Sequence, residues 1–136
     1  MQRRKEQVVR IRYDKGGRGM RYYQNIEYKA ARRLMDDGRY AGRGCPCRIL
    51  DVREPEEYAA GHLPGAVNVP LYQIGRKVPY IMPGRQQPLL VYCGSGARSL
   101  PAVQVLAVMG YRNLYNLYKG IENWPYPLVR ETRWRG

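Results

Sequence analysis

Residues 88–99 read Pro-Leu-Leu-Val-Tyr-Cys-Gly-Ser-Gly-Ala-Arg-Ser, and this stretch decides the fold. Leu89 to Tyr92 is a short apolar run bounded by Pro88 and a glycine turn, the pattern of a buried strand. Beyond the turn, Ser99 to Met109 sets Ala102, Val103, Leu106 and Met109 on one helical face and stops at Gly110. A strand, a tight turn and a helix in that order point to an α/β fold, in which such turns line the binding crevice.

The neighbouring segments repeat the alternation. Arg48 to Val52 reads as a second buried strand, and Pro55 and Gly61 bracket a small helix containing Glu56, Glu57 and Tyr58. Ala66 to Val69 reads as a short strand ended by Pro70, and Leu114 to Leu117 as another, followed by a helical turn over 120–124. Residues 71–88 carry Gly75, Pro79, Pro83 and Gly84, which predicts mostly loop with one short helix at most. Upstream, Asn25 is placed to N-cap a helix bearing Ile26, Ala30 and Leu34, with Gly38 ending it. The fold class is therefore α/β, a central, mainly parallel sheet flanked by helices.

With 136 residues, 44% of them hydrophobic and 26% charged, the chain has the size of one globular domain. It carries 24 Lys and Arg against 11 Asp and Glu, a net charge of +13 that favours anionic partners. Nearly half of that excess lies in residues 1–24, where eight cations face only Glu6 and Asp14. Around Gly16 to Gly19 this segment reads as a basic arm or irregular loop, although residues 7–13 could pair as a strand. The division expected is a basic N-terminal arm over 1–24, a domain over 25–129 and a tail over 130–136. Tyr22 and Tyr23 offer stacking surfaces for nucleic acid, but no recognised nucleic-acid motif accompanies them, and a solvated basic face is favoured. No apolar run approaches the roughly 20 residues of a membrane span, and three cysteines make no disulfide framework. A reducing cytoplasm is the default expectation.

The chemistry concentrates in Cys93-Gly94-Ser95-Gly96-Ala97-Arg98. If this loop curls around the cysteine sulfur, the N–H groups of residues 94–98 converge as a nest, with a helix N-terminus behind them. Such surroundings favour the thiolate, the nucleophilic form of cysteine. Glycines at 94 and 96 permit the close approaches the curl needs, and Arg98 adds a fixed cation at the rim.

With these residues in view, the sequence resembles the rhodanese family. Residues 49–71, ILDVREPEEYAAGHLPGAVNVPL, look like the family's first motif, and 88–99 like its active-site strand and loop. Residues 110–124, GYRNLYNLYKGIENW, are similar to its closing segment, with Lys119 where the family usually has a glycine. The resemblance implies the family's three-layer fold and a sulfurtransferase in which Cys93 takes a sulfane sulfur and becomes a persulfide. Gly94, Ser95, Gly96, Ala97 and Arg98 would then bind the substrate. It further implies a small anionic donor such as thiosulfate, a thiol or cyanide acceptor, a protein acceptor as a further candidate, and no metal or organic cofactor. Related phosphatases place five residues between Cys and Arg where this chain has four, so a phosphatase or arsenate reductase ranks lower. A non-catalytic rhodanese-like binding or carrier module is the alternative from another class, and the presence of Cys93 counts against it.

Asp51 and Arg53 end the RILDV strand and are expected to support the site through an ion pair or hydrogen bonds to adjacent loops. His62, the only histidine, has no partner triad in the sequence and is expected to bond backbone rather than act as a base. Cys45 and Cys47 form a C-x-C pair with too few further ligands for structural zinc, at the opposite strand end from Cys93. A disulfide from either to Cys93 is excluded by that separation.

Overall fold

The computed structural model describes residues 7–11, 21–37 and 47–131. Six strands form one sheet: β1 (Gln7–Ile11), β2 (Arg21–Ile26), β3 (Arg48–Asp51), β4 (Val67–Asn68), β5 (Leu89–Tyr92) and β6 (Leu114–Leu117). Their spatial order is β1-β2-β6-β5-β3-β4, with β1 antiparallel to β2 and every other neighbouring pair parallel. Four helices connect them: α1 (Tyr28–Asp37), α2 (Pro55–Ala60), α3 (Ile74–Ile81) and α4 (Ser99–Val108).

The two-residue period of the strands divides the interior into two cores. Leu50, Leu89, Val91 and Leu114 face one side, where Val78 of α3 and Ala102, Val103 and Leu106 of α4 cover them. Ile49, Leu90, Tyr92, Tyr115 and Leu117 face the other, beneath Ala30, Ala31 and Leu34 of α1. Every residue of β5 is consequently buried, as expected of a central parallel strand covered on both faces. The result is three layers, helices on both sides of a sheet. Among the described residues no helix is long and apolar enough to cross a membrane.

Three expectations need correction. The boundary between residues 24 and 25 falls inside β2, and part of the basic segment belongs to the sheet. On β2, Tyr23 joins one core and Ile26 the other, so this polar-looking strand is held by the same two-sided burial. Asn25 does not cap a helix, because its Oδ1 accepts a 2.9 Å bond from Asn116 Nδ2 of β6, and α1 starts only at Tyr28. The intended helix end at Gly38 lies outside the described residues. Residues 71–81 are also more helical than their prolines suggest: a 3-10 turn over Leu71–Gln73 runs directly into α3, which contains Pro79. Ile74, Val78 and Met82 repeat every four residues and are all buried, and this packing outweighs the missing N–H of Pro79.

Candidate active site

Cys93 leaves β5 at its C-terminal end, between the ends of β3 and β6. Its side chain is fully buried, and its Sγ accepts backbone N–H bonds from Gly96 (3.1 Å), Arg98 (3.2 Å) and Ser99 (3.2 Å). Two donors come from the loop and the third from the first residue of α4, whose terminus adds partial positive charge. Three N–H groups aimed at one sulfur complement negative charge on it. Ser99, outside the 94–98 span expected from sequence, is therefore part of the cradle. Ser95 and Ala97 are exposed at the lip, and Gly94 is buried.

A strap formed by residues 118–122 holds the curl from outside. Ile121 N donates to Cys93 O at 2.9 Å and Glu122 N to Gly94 O at 3.0 Å. Gly96 (φ +106°) and Gly120 (φ +74°) both occupy the left-handed half of backbone space. A β-carbon on Gly96 would overlap Tyr118 O, and one on Gly120 would overlap Gly94 O. Glycine is thus required at each place by conformation and by space together.

Arg98 turns its guanidinium to Glu57, with Nη1 to Oε1 at 2.7 Å and Nη2 to Oε2 at 3.0 Å. Glu57 occupies the third position of α2, where its Oε1 also accepts Glu54 N at 2.9 Å, closing a capping box. The hydrogen bond from Arg98 is the main reason that the Glu57 carboxyl is held down to about 2, and the same bond raises Arg98. The rim cation expected from sequence is therefore charge-balanced by a partner 41 residues away that local pattern did not indicate.

Behind the loop, Arg53 Nη2 meets Asp51 Oδ2 at 2.7 Å in a buried pair, and the same nitrogen donates to Gly61 O at 2.7 Å. Burial opposes the charge on Arg53, but the hydrogen bond and charge of Asp51 outweigh it and raise its pKa. Tyr92 OH donates to Asp51 Oδ2 at 2.6 Å and accepts from Leu63 N at 3.1 Å. Burial first, then the charge of Asp51, pushes that hydroxyl far above the usual tyrosine range, so it remains a donor. These contacts tie both ends of α2 to β3 and β5, and α2 carries Glu57. No hydrogen bond joins Asp51 or Arg53 to Cys93 Sγ.

His62 is buried, its Nδ1 lies 2.8 Å from Tyr58 O, and its ring stacks on Tyr58 at 3.8 Å. Cys47 directs its thiol to Arg48 O at 3.3 Å. Arg48 pairs with Leu89 and Asp51 with Tyr92, so Cys47 and Cys93 sit beyond opposite ends of adjacent strands, roughly 13 Å or more apart at about 3.3 Å per residue. Cys45 lies outside the described residues. Among the described residues no three His, Cys, Asp or Glu side chains gather as a metal site.

Residues 27–125 match the rhodanese-like domain family. Over 81 residues the chain is 33% identical to thiosulfate sulfurtransferase PspE of Escherichia coli, covering 60% of this chain and 77% of that protein. It is 37% identical to a sulfurtransferase of Allochromatium vinosum, covering 56% of this chain and 69% of the other. In structure it is similar to a rhodanese-related protein from Thermoplasma volcanium, with a TM-score of 0.63 and 27% identity over 77% of this chain and 96% of that one. A buried thiol in a glycine-shaped cradle at the end of β5 and a match over 99 residues lead to one assignment: the chain belongs to the rhodanese-like domain family.

Proposed function

We propose that this protein is a sulfurtransferase that carries a sulfane sulfur on Cys93 as a persulfide. The observation that carries the reading is the convergence of Gly96, Arg98 and Ser99 N–H groups on Cys93 Sγ, three donors placed to complement the negative charge that the sulfur bears as a nucleophile and as a leaving group. With thiosulfate as donor, the Cys93 thiolate forms a bond to the sulfane sulfur, the sulfur–sulfur bond of the donor breaks, and its electron pair leaves as sulfite. In the second half-reaction cyanide or a thiolate attacks the outer sulfur, the Cys93–sulfur bond breaks, and its electron pair returns to Sγ, where the same three N–H groups receive it. The donor is small and anionic, the acceptor is cyanide, a small thiol or a thiol-bearing protein, and the cysteine itself is the group carrier, with no metal or organic cofactor taking part.

Gly94, Ser95, Gly96, Ala97 and Arg98 form the substrate lip in this reading, while Asp51 and Arg53 support it by fixing α2. The relatives named as sulfurtransferases support the same chemistry. A phosphatase reading is less favoured because three backbone N–H groups, two from the loop and one from the first residue of α4, already bond the sulfur itself, and only four residues separate Cys93 from Arg98. Thiocyanate production from thiosulfate and cyanide tests the proposal: the wild type is expected to turn over with ping-pong kinetics and Cys93→Ser to be inactive. Turnover by Cys93→Ser would overturn it.

A further inference from the structure

The layer formed by α3 and α4 is built without a carboxylate. From residue 58 to residue 121 the sequence holds no Asp or Glu, yet it holds Arg76, Lys77, Arg85, Arg98, Arg112 and Lys119. Arg98 and Lys119 pair with Glu57 and Glu27, which lie outside that stretch, and the other four cations are exposed. α4 itself, SLPAVQVLAV, carries no charge, and a helix that is apolar all round is ordinarily covered on every side. Here Ala102, Val103 and Leu106 enter the core, whereas Leu100 (41% exposed), Val105 (44%) and Val108 (39%) form a stripe along the outer side. Beside it α3, whose Val78 enters the same core, exposes Tyr80 and Ile81 together with Arg76 and Lys77. Arg85 Nε donates to Met109 O at 3.1 Å and Arg112 N to Arg85 O at 2.9 Å, which sets two cations at the C-terminal end of the stripe. At its other end, Leu100 directly follows Ser99, whose N–H holds Cys93 Sγ.

We infer that the outer face of α3 and α4 docks the sulfur acceptor of Cys93, an acidic protein that presents an amphipathic helix next to its own cysteine. This inference rests on the proposed persulfide chemistry and adds the class of acceptor. An apolar stripe along a helix axis is matched by the apolar stripe of a second helix. A rim of cations without carboxylates selects acidic side chains on either side of that second stripe. Because the stripe starts one residue from the cradle, a helix lying along it ends beside the persulfide. The acceptor thiolate then forms a bond to the outer sulfur, the bond to Sγ breaks, and its electron pair returns to Sγ. A second copy of this chain suits the face poorly, since it would bring a net charge of +13 against the same cations. Nucleic acid suits it poorly as well, because the aliphatic centre of the stripe offers no stacking platform.

The probes are two short helical peptides with a terminal cysteine and leucines at i, i+4 spacing, one carrying Glu and the other Lys on its remaining face. Persulfide-loaded protein should transfer sulfur to the Glu peptide with a kcat/KM about tenfold above that for the Lys peptide, a gap that narrows in concentrated salt. Val105→Glu and Lys77→Glu should each raise KM for the Glu peptide about three- to tenfold. Both variants should load sulfur from thiosulfate and turn over with cyanide as the wild type does. Peptides with Ser in place of Cys, followed by fluorescence polarisation on unloaded protein, report docking without sulfur chemistry. Equal transfer to and binding of the two peptides, or variants that leave KM unchanged, overturn the docking face with the persulfide reading intact. A dimer that Val105→Glu dissociates in sedimentation, with no peptide binding, overturns it in favour of a second copy. Binding to phosphatidylglycerol vesicles or RNA that Val105→Glu abolishes, again with no peptide binding, overturns it in favour of those surfaces. If the Glu peptide binds but Cys93 loads no sulfur, the persulfide reading falls and the acceptor role with it.

Discussion

Glu57 and Arg98, 41 residues apart in sequence, meet in a two-bond ion pair of 2.7 and 3.0 Å that joins the first turn of α2 to the cysteine loop. The loop therefore has two external braces, this clamp on one side and the 118–122 strap on the other. Its curl around Cys93 is a tertiary property, because both braces come from segments distant in sequence.

The clamp should be visible in the pH dependence of stability. The Glu57 carboxyl titrates at about 2 in the folded protein against an ordinary 4.5. A depressed carboxylate stabilises the fold fully above the ordinary value, and this contribution is lost as pH falls through the depressed one. Wild type should thus melt higher than Glu57→Gln at pH 6, by an amount corresponding to about 0.2–1 kcal/mol for a half-exposed pair. The difference should shrink below pH 4.5 and vanish near 2. Melting curves of both proteins across that range check this, and a gap that widens in acid contradicts it.

Arg98→Ala should slow sulfur loading from thiosulfate far more than Arg98→Lys, since lysine keeps the charge and part of the reach to Glu57. Because Glu57 balances that charge, the loss in Arg98→Ala should persist in concentrated salt, when exposed charges more than about 3 Å apart are screened. A double-mutant cycle should also show coupling, with Glu57→Gln having little further effect once Arg98 is alanine. Rates of persulfide formation across a salt series measure each point. A wild-type rate for Arg98→Ala at all salt concentrations contradicts the bracing role.

Gly96→Ala and Gly120→Ala should each reduce sulfur transfer severely and cost about 1–3 kcal/mol of stability or more, because a side chain is strained in these backbone conformations and would also overlap a carbonyl oxygen. Gly75→Ala is the contrast. It sits in α3 with open space around it, and alanine there should be neutral or stabilising by up to about 1 kcal/mol. Denaturant titrations of the three variants separate these outcomes.

Asp51→Asn should destabilise the protein by about 3–5 kcal/mol, since it leaves the Arg53 guanidinium buried beside Gly61 O and Tyr92 without a countercharge. Chemical denaturation reads this directly. A change under about 1 kcal/mol would show that the pair does not anchor α2.

Much of this organisation is legible in the sequence because it is local. RILDV, LLVY and LYNL are short runs whose buried faces and bounding prolines and glycines declare them strands, and the cysteine loop follows from its glycines and its place before a helix. β2 is less legible, because Arg21–Ile26 mixes charged, aromatic and amide side chains and is specified by register with β6 rather than by its own pattern. Pro79 misleads for the complementary reason, since burial of Ile74, Val78 and Met82 outweighs a local helix breaker. In the site, Cys93 and its glycines could be read directly. The partners of Arg98 and of Cys93 O could not, because Glu57 and Ile121 reach them only after the sheet has brought α2 and the strap together.

The most direct test of the central claim is intact-mass and peptide-mass measurement of the purified protein after incubation with thiosulfate. The protein should gain one sulfur atom, mapped to Cys93, removed by cyanide and absent from Cys93→Ser. No sulfur gain on a folded wild-type protein across sulfane donors, or a gain that maps to Cys45 or Cys47 and persists in Cys93→Ser, would contradict it.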